Sequence, residues 1–294
     1  LFHSRLVSLS LFTLLLFLQS DLATQKVLRI QYISDLHLEF GTNPSIRPKA
    51  PIIALLGGGR LVSREGCPSP YEIYDDFLDD LQEKFERILV IPGNHESYRM
   101  DHNEAMEQLT SLCSRHRRVT LLNRSSMVID GVRLIGTTLW SNVPEIYSGE
   151  IEASLSDYKV ITFERKPITT RITNEWHLRD VAVITSEISE AKSAKQQAVV
   201  LTHHSPLFDC GTGCPEVFVQ ARKYAFHSDQ RKFFGPPVVA WLNGHSHWYT
   251  DFTLQGTRIV NNPHGYPREE LKPDDCIIDI PVWTDGVVPA SSPS

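Results

Sequence analysis

Cysteine is scarce in this chain: five in 294 residues, at Cys67, Cys113, Cys210, Cys214 and Cys276. An odd and sparse set argues against a disulfide framework. The pair Cys210 and Cys214 flanks Gly-Thr-Gly and reads as a Gly-rich turn, because a zinc site there needs two further ligands at matched spacing. An excess of one charge sign is also missing. Twenty-nine Lys and Arg against 35 Asp and Glu leave a net charge of −6, so no global basic field draws the protein to nucleic acid or to an anionic membrane. The short basic run Arg115, His116, Arg117 and Arg118 reads as a solvated helix end. Internal repeats, heptads and low-complexity linkers are absent, which argues against solenoids and coiled coils. So is a long hydrophobic run. Residues 6–18 are apolar apart from Ser8, Ser10 and Thr13, too short a stretch to span a bilayer as a stable helix. It fits the apolar region of a secretory signal peptide, with small-residue cleavage options near Ser20 or Ala23. The other reading is an upstream segment of no structural role, and the compartment, cytoplasmic or secreted, turns on that choice. The triplet Asn123-Arg124-Ser125 is the one glycosylation sequon, a pattern that chance often produces.

What is present is ordinary globular composition, 41% apolar and 22% charged, long enough to bury a substantial core. From Lys26 onward, short apolar runs alternate with polar stretches of helical period, which indicates an α/β architecture. Strands are expected over residues 27–34, 51–56, 88–91, 119–122, 127–129, 132–140, 198–202, 238–242, 250–254 and 257–260, with tight turns at Asp130-Gly131 and Gln255-Gly256. Helices are expected over residues 71–87, 101–116 and 172–195. The polar stretch 141–170 reads as an insertion or lid. The division that follows is a possible signal peptide or disordered segment over 1–25, one catalytic-type domain over 26–286 and a frayed Pro- and Ser-rich tail over 287–294.

The chemistry-bearing residues gather just past strand ends. Residues 27–34 run into Asp35-Leu36-His37, and residues 88–91 into Gly93-Asn94-His95-Glu96. Residues 198–202 run into His203-His204-Ser205-Pro206, and residues 238–242 into Asn243-Gly244-His245-Ser246-His247. Open α/β sheets bind ligands beyond the carboxyl ends of their strands. Asp, Asn and neutral imidazole are ligands for divalent transition metals. Any one cluster alone is a solvated loop or a turn; four at strand ends are the pattern of a metal site. Ser205 follows His204, but no Gly-x-Ser-x-Gly elbow surrounds it, so a serine hydrolase is a poor fit.

These four stretches, in this order and spanning residues 27–266, resemble the calcineurin-like metallophosphoesterases. Segment 260–266 looks like the closing strand and loop of a subgroup of small members. The resemblance implies a four-layer α-β-β-α sandwich and two metal ions, from among manganese, iron and zinc, at the strand ends. It implies that Asp35, His37 and His247 bind the first ion, and that Asn94, His203 and His245 bind the second. His95 would be the catalytic residue over the substrate phosphate, with Asn94 and His204 also touching substrate. His204 competes with His203 for the ligand role; His203 is preferred because it directly follows its strand. The implied function is hydrolysis of a phosphomonoester or phosphodiester, on a small molecule or a protein, by a metal-activated hydroxide.

One motif departs from the family pattern. Relatives commonly read Ala-Gly-Asp-Ile-Gly-Arg-Leu after the second strand, and that Asp bridges both metals. Here the strand runs into Gly57-Gly58-Gly59-Arg60-Leu61. Loss of an Asp-Ile pair, substitution of Asp by Gly59, and an error in the gene sequence all produce this text. Two dications ~3.5 Å apart repel by roughly 15–20 kcal/mol at an effective dielectric near ~20, and the bridging carboxylate normally offsets part of that. Without it, weaker binding of at least one ion is expected, with retention of only one ion as an alternative. Glu65, Asp75 and Asp76 are the nearby carboxylates weighed as replacements. A non-catalytic relative acting as a binding or scaffold module is therefore the competing function. The Gly run also has a second reading, a backbone cradle for phosphate, although it lacks the spacing of a nucleotide loop.

Overall fold

Alternation along the strands builds two sheets that share one core. In β1 (Val27–Ser34), Leu28, Ile30 and Tyr32 face one way and Ile33 the other. In β2 (Ile52–Leu56), Ile52, Ala54 and Leu56 face that same core, while Ile53 and Leu55 face away. The computed structural model describes residues 26–41, 44–62, 69–208, 221–269 and 276–283. The expectations for segment 1–25, the tail from residue 287, Glu65, Cys67, Cys210 and Cys214 lie outside them.

β1, β2, β3 (Arg87–Ile91) and β4 (Val119–Leu121) pair in parallel, in that spatial order. The second sheet contains β5 (Ser125–Ile129), β6 (Val132–Thr137), β9 (Gln197–Thr202), β10 (Val238–Asn243), β11 (Thr250–Leu254) and β12 (Thr257–Asn261), in the order β11-β12-β10-β9-β6-β5. Its four inner strands are parallel and its two edges are antiparallel hairpins. The hairpin turns fall where expected, with Asp130, Gly131, Gln255 and Gly256 all at positive φ, as a two-residue turn of this hand requires. The sequence did not reveal a final strand, β13 (Ile277–Pro281), which adds antiparallel to β1.

The facing sides of the sheets bury Tyr32, Leu56, Leu89, Leu134, Leu201 and Leu242. The outer side of the first sheet is covered by α1 (Pro70–Lys84) and α2 (His102–Ser114) through Tyr74, Phe77, Leu81, Leu109 and Leu112. Ser69 caps α1 by accepting from the Glu72 amide, and Pro70 occupies the first turn, where its missing N–H costs nothing. α5 (Thr170–Ser193) covers the second sheet through Ile184 and Ala191. The result is the four-layer α-β-β-α sandwich, with both sheets directing the carboxyl ends of their parallel strands to one rim.

The stretch 141–170 is more ordered than its polarity suggests. It forms α3 (Ser148–Ser154), α4 (Asp157–Val160) and a small hairpin of β7 (Thr162–Phe163) with β8 (Lys166–Pro167). Val143, Ile151, Ile161 and Ile168 are buried and cluster with Trp140 and Trp176, while Ile146 is exposed. Two buried histidines fasten this unit to the rest. His102 stacks on Trp176 with ring centroids 4.0 Å apart and has its Nδ1 2.9 Å from Ser97 Oγ. His177 Nδ1 donates to the Trp140 carbonyl at 2.6 Å.

Burial pulls the imidazole of His102 down to about 4 and lowers that of His177. Both are neutral in the fold at a pH where an unfolded chain, with His near ~6.5, binds the proton. Their contribution to stability is therefore complete above about 6.5 and is lost as pH falls towards 4. Urea unfolding of the metal-free protein is expected to become easier from pH 7 to pH 5, and His102→Gln to flatten that slope by up to about 1.4 kcal/mol per pH unit. An identical slope in the variant would show that His102 is not buried neutral.

Candidate metal centre

Each expected cluster sits at the rim where the two sheets meet. Asp35 and His37 follow β1, Asn94 and His95 follow β3, His203 follows β9, and His245 and His247 follow β10. The sheets approach closely here. Gly244 donates to the His203 carbonyl at 2.8 Å, and a Cβ on it would lie 2.8 Å from Ser34 Cβ and 3.0 Å from Asp35 Oδ2. Only glycine fits at that seam. Asp35, His37, His245 and His247 all take positive φ, between 47° and 67°, a conformation that costs energy in non-glycine residues and concentrates at functional sites.

Asp35, His37 and His247 bring their ligand atoms within 4.8 Å of one another. His37 Nε2 lies 3.0 Å from His247 Nε2, which in turn is 3.6 Å from Asp35 Oδ1. His247 Nδ1 is bound to the Glu269 carboxylate at 2.6 Å, so in the neutral ring its Nε2 carries a lone pair. Burial pulls His37 down to about 4, so it is neutral. Whichever of its nitrogens holds the proton, the other turns a lone pair onto an acceptor, either His247 Nε2 or the Glu39 carboxylate, 3.5 Å from His37 Nδ1. Asp35 accepts from Ser34 Oγ at 2.5 Å and from the His245 amide at 2.9 Å. Burial opposes its ionisation, yet His247, His203 and His37 hold its carboxyl below the usual range.

The second set is as crowded. His203 Nδ1 donates to the Leu56 carbonyl at 2.9 Å, and its Nε2 lies 3.0 Å from Asn94 Oδ1. The Asn94 amide group cannot turn to help, because its Nδ2 donates to Asp157 Oδ1 at 2.8 Å. His245 lies alongside, its ring centroid 5.0 Å from that of His203, and burial lowers it well below the ordinary imidazole range. Imidazole nitrogens, a carboxylate and an amide oxygen that converge in this way are a donor set for a divalent cation, so the residues fit the metals that the motifs imply.

His95 stands beside the first set. Its Nδ1 is 2.9 Å from Glu39 Oε1, its Nε2 is 3.2 Å from the Tyr266 hydroxyl, and its ring stacks on Tyr98 at 4.0 Å. A cavity of about 540 Å³ opens over Asp35, His37, Asn94, His95, His245 and His247, with aromatic walls of Tyr98, Phe226, Trp248 and Tyr266 and one cation, Arg222. His204 is not on this wall. It is buried behind His245, stacked on it at 4.0 Å, with Nδ1 2.9 Å from Ser141 Oγ. The expected substrate contact through His204 is therefore blocked by the His245 ring. Of the two adjacent rings, it is His203 that faces Asn94, with Nε2 3.0 Å from Oδ1.

The glycine turn has no room for a side chain. A Cβ would lie 2.5 Å from His203 Nδ1 at Gly57, 2.1 Å from the Tyr74 hydroxyl at Gly58 and 2.3 Å from Glu39 Oε2 at Gly59. Its amides are not free to cradle a phosphate: Gly58 donates to Glu96 Oε1 at 2.7 Å and Gly57 to the Ile91 carbonyl at 3.0 Å. Of the carboxylates weighed as replacements, Asp75 is bound to His116 at 2.9 Å and to Arg115 at 3.0 Å, and Asp76 is exposed. Three other carboxylates back the candidate ligands and were missed in the sequence: Glu39 behind His37 and His95, Asp157 behind Asn94, and Glu269 behind His247. Glu39 lies two residues past His37 and was legible as part of that cluster; Asp157 and Glu269 arrive from remote segments with no local signal.

The family model described as calcineurin-like phosphoesterase matches residues 28–249. Uncharacterized protein L509 of Acanthamoeba polyphaga mimivirus is 29% identical over 263 residues, which cover 82% of this chain and 92% of that one. Among solved structures, phosphopantetheinyl hydrolase from Mycobacterium tuberculosis aligns with a TM-score of 0.62 at 18% identity, over 89% of this chain and 98% of that one; at that identity the likeness is one of fold. With the family match running from the first strand past the last histidine pair, the chain belongs to the calcineurin-like phosphoesterases, a metal-dependent family.

Proposed function

We propose that the protein hydrolyses a phosphomonoester or phosphodiester with divalent metal held by Asp35, His37 and His247 and, more weakly, by Asn94, His203 and His245. The observation that carries this reading is the convergence of metal-ligating atoms at the rim: Asp35, His37 and His247 within 4.8 Å of one another, and Asn94 Oδ1 3.0 Å from His203 Nε2. When bound, the metal supplies Lewis acidity at the phosphoryl oxygens and a water of lowered pKa. The chain's own residues do the rest. His95 presents Nε2 towards the Tyr266 hydroxyl at the cavity, where it can hold a phosphoryl oxygen or pass a proton to the leaving oxygen. Tyr98 stacks on its ring and fixes its orientation. Tyr266 stacks on His37 at 4.1 Å and closes the site from the other side. A cavity of about 540 Å³ accommodates a small phosphoester or a side-chain phosphate.

The two ligand sets differ in charge, since the first contains a carboxylate and the second only neutral donors. Titration of the metal-free protein with manganese or zinc is expected to show two classes of site, the tighter filling at about one ion per chain. His247→Ala should abolish the tight class, whereas His203→Ala should remove the weak class and leave the tight one. Elemental analysis after dialysis checks this, and wild-type protein without metal would overturn the reading.

His95→Asn should lower kcat on a generic aryl phosphate by about 10²–10⁴-fold while leaving metal content unchanged. Equal activity would remove His95 from the mechanism. A second reading, a non-catalytic binding module, is favoured by one observation, the lack of a carboxylate at Gly57, Gly58 and Gly59. Its signature is about one metal per chain and no turnover with manganese, iron or zinc supplied. Insertion of Asp-Ile after Gly58 would then raise occupancy.

A further inference from the structure

We propose that Glu39 is the positioning residue of the centre: seated in the space that Gly59 leaves open, its buried carboxylate binds His95 Nδ1 and, 3.5 Å from His37 Nδ1, favours the proton on that atom too, and so turns both Nε2 atoms towards the metal and the substrate. The inference rests on the metal-centre reading above and deepens it.

Glu39 follows β1 in a single turn of 3₁₀ helix, Leu38–Phe40. Its side chain is only 2% exposed, which a carboxylate tolerates when it is paired. The partners are specific. Oε1 lies 2.9 Å from His95 Nδ1, 3.5 Å from His37 Nδ1 and 3.4 Å from Arg60 Nε, while Oε2 accepts from the Arg60 amide at 3.2 Å. One carboxylate thus binds His95 Nδ1 and faces His37 Nδ1, which has no hydrogen-bond partner among the described residues. His37 then points Nε2 at His247, and His95 points Nε2 at Tyr266. A carboxylate behind a metal-binding imidazole fixes its tautomer and raises its basicity.

The turn explains why the carboxylate can be there. A Cβ at residue 59 would lie 2.3 Å from Glu39 Oε2 and 2.9 Å from the Leu38 amide. A side chain at 59 and Glu39 in this position exclude one another. Arg60, immediately after the turn, clamps the carboxylate from the outer side.

Glu39 is not itself the ligand of a further ion among His37, Glu39 and His95, although their atoms lie within 4.8 Å. Such an ion would take His37 Nδ1 while the opposite nitrogen serves the first set. His37 would then have to lose its last ring proton and bridge two cations, which a neutral imidazole backed by a carboxylate does not need to do.

The test is Glu39→Gln, which keeps the size of the side chain and removes one acceptor and the charge. Metal affinity of the tight class should fall roughly 10–100-fold, read by competition with a chelator, while the thermal midpoint of the metal-free protein stays within a few degrees of wild type. Unchanged affinity would overturn the proposal, as would a lowered midpoint with affinity intact, since that is a structural role alone. In metal-free protein, imidazole ¹⁵N shifts should report Nδ1–H for His37 and His95 in wild type and a mixture in the variant. Tautomers that do not change overturn it even if wild-type protein proves to bind no metal, an outcome that would separately end the metal-centre reading.

Discussion

Metal-ligating atoms crowd together across the seam between the two sheets. His37 meets His247, and Asn94 meets His203, each at 3.0 Å, and the far side of His247, His203 and Asn94 is already committed to another partner. Glu269 takes the Nδ1–H of His247, the Leu56 carbonyl takes that of His203, and Asp157 takes the amide hydrogens of Asn94. Polar groups crowded into so small a space are costly unless each has a proton or a cation to share. The fold sustains them because the ligands sit on the ends of strands whose inner and outer faces are both packed. A cation held between them would satisfy several of these groups at once.

Charge is arranged around that rim in an unusual order. In the family pattern a carboxylate bridges the two metals; here the turn that would carry it is three glycines in contact with His203, Tyr74 and Glu39. Negative charge is not absent from the site, however. It lies one layer out, on Glu39, Asp157 and Glu269, each bound to the far side of a candidate ligand or of His95. Charge at that distance raises ligand basicity but cannot screen two dications from one another as a bridging oxygen does. An arrangement of this kind favours one strongly held ion over two equal ones. Glu96 completes the picture from below: its carboxylate is bound by the amides of Gly58 and Gly93, and burial raises it above the ordinary range. It braces the turn rather than facing the cavity.

Much of this was legible in the sequence, for identifiable reasons. Parallel strands buried on both faces give short apolar runs, and a polar cluster after each run marks a strand end. Asp35, His37, Asn94, His95, His203, His245 and His247 could be placed on that basis. What failed did so where chemistry depends on three dimensions. His203 and His204 are adjacent, and the strand turns one ring to Asn94 and the other behind His245. β13 follows a stretch with no clear alternation and is held by its partner β1. The segment 141–170 reads as polar because its core residues are few, yet Val143, Ile151, Ile161 and Ile168 are all nearly inaccessible.

That segment carries the last step of the argument. Its Asp157 is buried, accepts from Asn94 Nδ2 and also from the Tyr98 hydroxyl at 3.2 Å. One carboxylate thereby orients a candidate ligand and the aromatic ring that stacks on His95. The insertion is held by its own apolar cluster around Trp140 and Trp176 and by His102 and His177. An element that reads as decoration on the sandwich therefore fixes two of the groups at its centre. Variation in this insertion between relatives would change the shape of the cavity wall and the orientation of Asn94 together, since both depend on the same carboxylate.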